Sequence, residues 1–283
     1  NYFVQNQRPG HTFIELGVVN GERKRLYLEA GDARPDGAII YYLLSDEAND
    51  VSLEILDAEG NLIKQFGEEE IGAQSFETID GLGYGRVSPA GGSGAVSIAQ
   101  GLNRFVWNMT YTDATRVPGR PPAGIVPMAK PGMYPVPLTV DGESQTQDFE
   151  LKINPNEKWT QADSDARFEL WMRVREVAET ANQAIIASRA TVEELEESGI
   201  SGDALERVKQ AQANFEQSIV PVGLTLVQIA NEPAKLLPKL ATVSHMLYSS
   251  EGRPPNSAYM VVDTLEGEIE AEIAAWRMVA AEF

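Results

Sequence analysis

Residues 148–155 read DFELKINP, and the character of the chain changes at the end of this stretch. It contains the end of the last predicted strand, residues 146–153, and the change falls at the Asn154-Pro155 pair. Short β-branched and aromatic runs precede this pair, and apolar residues at helical spacing follow it. The sequence therefore predicts an α+β protein of two domains. Residues 1–155 form a β-sandwich, and residues 156–283 form an antiparallel, up-and-down four-helix bundle.

The β half contains several strand signals. Ala38–Leu44 is a continuous apolar run, so we predict a central buried strand there. Phe105, Trp107 and Met109 alternate along another run and should point to one face. Asp141-Gly142 is the strongest short hairpin signal of the chain. The other strand candidates are residues 12–16, 25–29, 51–56, 62–66, 133–140 and 146–153, with a tight turn at residues 58–61.

Two long irregular stretches interrupt the sandwich pattern, at residues 68–99 and 112–131. The first contains several glycine clusters, and the second is rich in Pro and Gly. Loops of this length inside a compact domain are usually either functional or disordered. We therefore expect both stretches to be presented to a partner.

The helical half contains four amphipathic stripes with near-heptad spacing. Thr160 and Asp163 offer capping side chains at the start of the first stripe. Ala178 and Ala181 are small enough to let a neighbouring helix approach closely. The stripes consist of Phe168, Trp171, Val174, Ala178, Ala181 and Ile185; Leu205, Val208, Ala211, Phe215 and Ile219; Leu236, Leu240, Val243 and Leu247; and Val262, Leu265, Ile269, Ile273, Trp276 and Ala280.

The composition limits the classes of partner. The net charge is −19, and such an acidic surface repels phosphate backbones and anionic lipids, so we expect no nucleic-acid or membrane-surface binding. No apolar run approaches the ~20 residues that a membrane-spanning helix needs. The chain has no cysteine, which excludes disulfides and sulfur-based zinc sites. Because it begins at Asn1 without Met or a leader, we expect a processed product or the visible end of a longer chain.

Several motifs carry a family resemblance. Residues 51–63 read VSLEILDAEGNLI, residues 101–109 read GLNRFVWNM and residues 131–134 read PGMY. They resemble an immunoglobulin-like domain of the flagellar-hook-cap (FlgD-like) type. Together with AIIYYL at residues 38–43 and LTVDGESQTQ at residues 138–147, they resemble the C-terminal region of large exported bacterial proteins with BNR (sialidase-type) or sortilin-like propeller repeats.

In that family a helical segment follows the sandwich. The resemblance implies an immunoglobulin or fibronectin-III-like sandwich and export to the periplasm, the cell surface or the medium. It also implies a propeller ahead of this region, which residues 1–283 do not contain. The glycosyl-hydrolase-like label of such proteins belongs to the propeller, so it transfers to no residue here.

No catalytic constellation is visible in the sequence. His11 and His245 are the only histidines, and neither has a partner at the spacing of a metal site or a nucleophile pair. We therefore predict no catalytic residues and expect no enzymatic activity from this chain.

Two weaker kinds of site remain. Glu68, Glu69, Glu70 and Asp80 could form an oxygen-rich calcium site, because hard cations prefer carboxylate clusters. They lack the spacing of known calcium loops, so calcium is only a weak cofactor candidate.

Aromatic side chains in or beside irregular segments are the other candidates, since rigid apolar faces stack on sugars or protein partners. Tyr84, Tyr111 and Trp159 have this position. The alternatives are a loop anchor for Tyr84 and a packing role at the domain junction for Trp159.

Three functions stay open at this point. The first is a non-catalytic exported module that docks to a protein partner or to a preceding propeller. The second is an accessory carbohydrate-binding module, or part of a sialidase-like glycoside hydrolase. The third is a spacer within a larger assembly.

Overall fold

The computed structural model describes residues 13–19, 22–27, 37–67, 95–120, 122–221, 234–250 and 252–283, and for residues 13–27 it describes the backbone alone. The contacts within the chain divide it into two compact units. The β unit holds every described strand. The helical unit holds every described helix and, in addition, the segment Thr110–Pro131, which we call the arm. The protein is thus of the α+β class.

The strands of the β unit are all antiparallel and form three sheets. The first sheet has the order β1-β2, the second has the order β3-β6, and the third has the order β5-β4-β7-β8. The strands are β1 (Phe13–Val19), β2 (Glu22–Tyr27), β3 (Ala38–Leu44), β4 (Val51–Leu56), β5 (Leu62–Phe66), β6 (Gly101–Trp107), β7 (Gly132–Val140) and β8 (Glu143–Leu151).

The predicted hairpin at Asp141-Gly142 is confirmed. Both residues have a positive φ, 47° and 89°, as the tightest hairpin turns require. The Asp141 Oδ1 atom also accepts hydrogen bonds from the backbone N–H groups of Asn49 and Asp50, each at 3.0 Å. The turn therefore joins β7 to β8 and ties the hairpin to the residues that precede β4.

Aromatic rings fill the space between the β3-β6 sheet and the four-stranded sheet. The Phe105 ring lies 4.7 Å from that of Phe66, and the Trp107 ring lies 5.5 Å from that of Tyr134 and 6.0 Å from that of Phe149. Trp107 is completely buried. The prediction that Phe105, Trp107 and Met109 point to one face is confirmed for Phe105 and Trp107, whereas Met109 lies beyond the end of β6 and has a positive φ of 57°.

The prediction that Ala38–Leu44 is a central buried strand is wrong. Among the described strands β3 pairs only with β6, and only one of its faces is buried. The sequence does not show which face of this strand is exposed, because both faces are apolar.

The helical unit contains α1 (Gln161–Glu197), α2 (Asp203–Ile219), α3 (Leu236–Ser249) and α4 (Asn256–Ala280). The four predicted stripes are confirmed, since their central residues are buried in one continuous core. The Thr160 cap is confirmed as well, because its side chain and that of Asp163 form a reciprocal capping box. Within the described part of the chain, no helix is long and apolar enough to cross a membrane.

The four described helices do not alternate in direction, so the up-and-down prediction is wrong for them. α2 contacts α1 through the ion pairs Lys209–Glu196 and Glu216–Arg189. α3 contacts α1 through the Ser244–Trp171 hydrogen bond, and Ser250 at the end of α3 accepts a hydrogen bond from Arg167 of α1. In both sets the residue numbers fall along α1 as they rise along the shorter helix. Both short helices therefore run antiparallel to α1, α2 along its carboxyl half and α3 along its amino half.

The last helix runs parallel to α1, because Tyr259 contacts Ala166 while Glu266 pairs with Arg173 further along both helices. The order of directions of the described helices is up, down, down, up. The physical reason is the length of α1, which has 37 residues and is long enough for the 17-residue α2 and the 14-residue α3 to lie one after the other along it.

The arm packs against the helices of its own chain. Ala114, Val117 and Ile125 are buried in the helical core. The expectation that residues 112–131 form a loop presented to a partner is therefore wrong for these side chains. Their burial replaces water contacts with apolar contacts, which an exposed loop would not achieve.

Candidate functional site

The clearest exposed feature of the β unit is the outer face of the β3-β6 sheet. Three cross-strand pairs point away from the core, and the middle pair is Tyr41 with Arg104. Leu43 pairs with Leu102 on one side of it, and both leucines are 73% exposed. Tyr41 is 60% exposed. The third pair, on the other side of the middle pair, is Ile39 with Val106, and both residues are half-buried. We call these six residues the outer face.

The outer face follows directly from the strand geometry. Alternate residues of a strand point to opposite sides, so Tyr42 and Phe105 enter the core while their neighbours face outward. The three pairs extend over roughly 14 Å along the strands, at about 3.4 Å per residue. Directly opposite side chains in an antiparallel pair are close enough to form one continuous surface.

Arg104 is the single charged residue of the outer face. Its guanidinium makes no hydrogen bond or ion pair with any residue that the structure describes. It is exposed and lies between the aliphatic pairs. The outer face is thus apolar around its edges and cationic at its centre.

The most strongly perturbed carboxylate lies elsewhere, in the helical unit. Glu216 is 6% exposed. Its Oε1 atom accepts hydrogen bonds from Arg120 at 2.7 Å and Arg189 at 2.6 Å, and its Oε2 atom accepts one from Gln212 at 3.0 Å. Burial alone would raise the pKa of Glu216, but these hydrogen bonds outweigh it and lower the pKa to about 2.

This buried cluster is a structural tie between the arm and two helices. Arg120 belongs to the arm, and Arg189 also donates to the carbonyl oxygen of Pro118 at 2.7 Å. Every oxygen of the Glu216 carboxylate is already hydrogen-bonded, so no position is left for a substrate. The cluster explains how the arm is held and does not form a catalytic site.

Asp113 fixes the shape of the arm in a similar way. Its carboxylate accepts hydrogen bonds from the backbone N–H groups of Ala114, Gly124 and Ile125, at 2.7, 2.8 and 3.1 Å. Burial raises the pKa of Asp113 in spite of these bonds. Glu179 of α1 accepts from both the N–H and the hydroxyl group of Thr115, which attaches the same part of the arm to the helix.

The structure describes two of the three predicted aromatic binding residues. Tyr111 lies in the helical unit, half-buried, with its ring 5.1 Å from that of Phe168. Trp159 is half-buried at the start of the helical unit. Tyr84 lies outside the described residues. The structure therefore adds a packing partner for Tyr111, and binding by the three aromatic residues stays a prediction.

The predicted calcium ligands Glu68, Glu69, Glu70 and Asp80 all lie outside the described residues. Within the described ranges, no group of three or more His, Asp or Glu side chains is arranged to hold a metal ion. His245 stacks against Tyr248 on the same helix, with ring centroids 6.4 Å apart.

Two other surface features are less coherent than the outer face. On α4, Met260 and Met278 are exposed but lie about 27 Å apart along the helix, at 1.5 Å per residue. A shallow depression of about 350 Å³ borders α2, α3 and α4 and includes Lys239 and Glu268, which already form an ion pair at 3.8 Å. Neither feature combines exposed apolar side chains with a charge that lacks a partner.

The outer face was not predicted from the sequence, because the residues of β3 were assigned to a buried strand. A signal was present, since residues 101–107 alternate and place Leu102 and Arg104 on the side opposite Trp107. Pairing this alternation with the apolar run of β3 shows which side chains face outward.

Comparisons with protein-family models, curated proteins and solved structures found no match to this chain. The assignment of function therefore depends on the geometry of the outer face and on the motifs of the sequence.

Proposed function

We propose that the chain is a non-catalytic interaction module of an exported bacterial protein, and that the outer face is where it binds a protein partner. The observation that carries this proposal is the exposed Leu43–Leu102 pair beside Tyr41. Large apolar side chains grouped on one surface typically mark an interaction site. Aromatic residues and arginine are enriched among the residues that dominate binding energy in protein interfaces.

Two finer statements belong to the same proposal. The β unit would be an immunoglobulin or fibronectin-III-like sandwich, which is supported by two antiparallel sheets joined through the rings of Phe66, Phe105 and Trp107. Export and a connection to propeller-containing proteins are supported by the motifs at residues 51–63 and 101–109 alone. The partner surface would come from such a propeller or from a separate subunit.

A second copy of this chain fits the outer face less well. A two-fold axis through a small surface brings its central residue close to its own image. Here two Arg104 side chains would approach each other, and the two chains would each carry a net charge of −19. Both effects oppose self-association, so we assign the face to a different protein surface.

The carbohydrate-binding alternative ranks second. Tyr41 could stack on a sugar, but it is the only aromatic residue of the outer face, and no carboxylate accompanies it. Sugar recognition on a flat sheet would need further hydrogen-bonding side chains, whereas the positions around Tyr41 are occupied by aliphatic residues.

The proposal can be tested by site-specific photo-crosslinking in the native source. A photoreactive amino acid is placed at Leu43 or Leu102 and, as the control, at Leu62 on the other sheet, which is 55% exposed. We expect one discrete crosslink from the first two positions, either to another protein or to a part of the same polypeptide outside residues 1–283, and none from Leu62. The absence of a crosslink at residues 43 and 102, or an identical crosslink at residue 62, would refute the proposed face.

The origin of the partner is decided by the mass of the adduct-free protein and by peptides recovered upstream of Asn1. A crosslink to a repeat-rich region upstream of Asn1 would place the partner surface in the same polypeptide. A native mass equal to the 30.9 kDa of this chain would place it in a separate subunit.

A further inference from the structure

The centre of the outer face carries a charge that the described residues leave uncompensated. Arg104 is surrounded by Leu43 and Leu102 on one side and by Ile39 and Val106 on the other. The chain has 42 acidic residues against 23 basic ones, yet none of the described carboxylates approaches this guanidinium. Lys152, an exposed cation of the same unit, does have a partner, since its Nζ atom lies 3.1 Å from Oε2 of Glu150.

Docking on the outer face would remove Arg104 from water. A guanidinium that loses its hydration without gaining an anionic or hydrogen-bonding partner opposes binding strongly. Any protein surface that covers the two leucines must therefore also supply acceptors to Arg104. A carboxylate is the most effective acceptor, because it can receive two parallel N–H hydrogen bonds from one guanidinium.

We propose that the surface bound by the outer face is an apolar protein segment that carries an Asp or Glu side chain, and that this carboxylate pairs with Arg104 between the two aliphatic pairs. This inference rests on the proposed function, because it specifies the chemistry of the same face. Arg104 then selects the partner and fixes its position, while Leu43 and Leu102 supply the apolar contact.

A peptide-display selection tests the inference, because random peptides can report the chemistry that the outer face binds. The peptides are selected on the complete wild-type chain, and those recovered are synthesised and titrated against purified variants. We expect peptides in which an Asp or Glu lies among apolar residues. Leu102→Asp should abolish binding, and Arg104→Glu should weaken it by at least about thirtyfold, the lower end of the range for truncating one partner of a buried charge pair.

Two controls separate pairing from general charge and from misfolding. Lys152→Glu changes the net charge by the same amount as Arg104→Glu, but at an exposed position just after β8, and it should leave peptide binding unchanged. Replacing the acidic residue of the peptide by Lys should restore binding to Arg104→Glu. All substituted positions are exposed, so circular dichroism and thermal unfolding should match those of the wild-type chain.

The outcomes distinguish the inference from the proposed function. Peptides that require Leu102 but bind Arg104→Glu as tightly as the wild type would overturn the inference and leave the docking face standing. Failure to recover any peptide that Leu102→Asp abolishes would overturn both.

Discussion

The buried carboxylate of Glu216 allows one stability prediction to be worked out in detail. The change is Glu216→Gln, which keeps the shape of the side chain and removes its charge. Arg120 and Arg189 then lose their shared anion, and the amide nitrogen that replaces one oxygen cannot accept their hydrogen bonds. Removing one partner from a buried ion pair leaves the remaining charges uncompensated, which is strongly destabilising.

The pKa of Glu216 gives the magnitude. A value of about 2, against the ordinary 4.5, corresponds to a stabilisation of the folded state by about 3 kcal/mol near neutral pH. We expect Glu216→Gln to lower the free energy of unfolding of the helical unit by about that amount. Urea denaturation followed by far-ultraviolet circular dichroism reports on this unit, because it contains all the described helices.

The dependence on pH has a definite sign. The folded-state pKa is lowered, so the contribution of Glu216 is fully present above its unfolded pKa of 4.5 and disappears as the pH falls towards 2. The difference in unfolding free energy between wild type and Glu216→Gln should therefore be constant above about pH 5 and shrink through that window.

An exposed carboxylate provides the control. Glu270→Gln on α4 should change the unfolding free energy by less than about 0.5 kcal/mol. A loss below about 1 kcal/mol for Glu216→Gln, or a loss that is the same at neutral pH and near pH 2, would refute the argument that the two arginines stabilise this carboxylate.

Three further substitutions test the fold, each by urea or thermal unfolding of the purified chain. Gly37→Ala should cost at least about 2 kcal/mol, because φ is +153° and a Cβ atom would lie 2.3 Å from the Trp107 carbonyl oxygen; an unchanged midpoint would contradict this close approach. Thr160→Ala should cost about 1 kcal/mol through loss of the capping box with Asp163, and a neutral effect would show that the cap contributes nothing. Ala178→Leu should cost about 1–3 kcal/mol or more, because Ala178 is completely buried between helices, and full stability would mean that the helices can move apart.

Local features were predictable from the sequence where short-range physics decides them. The helical stripes follow from a 3.6-residue period, so residues such as Trp171, Ile185 and Trp276 could be assigned to the core in advance. The hairpin at Asp141-Gly142 follows from the backbone freedom that a tight turn needs. In these cases neighbouring residues carry all the necessary information.

Long-range features were not predictable in this way. The composition of the arm correctly indicated an irregular chain, but it contains no periodicity to show that Val117 and Ile125 are buried against helices. The tie between Arg120 and Glu216 joins residues 96 positions apart. Nor does the spacing of the stripes reveal that α3 runs in the same direction as α2, because a stripe shows which face of a helix is buried and not the direction in which the helix runs.

The error at Ala38–Leu44 bears directly on function. A strand whose two faces are both apolar is usually covered on both, as in the interior of a sheet protein. Within the described structure the core covers the side of β3 that carries Tyr42 and Leu44, while Tyr41 and Leu43 remain exposed. The sequence thus has apolar residues on both faces of β3, but among the described residues the fold buries only one face. A partner that covers the second face would reconcile the apolar pattern with the structure, and Arg104 on the opposite strand would require that partner to bring a carboxylate.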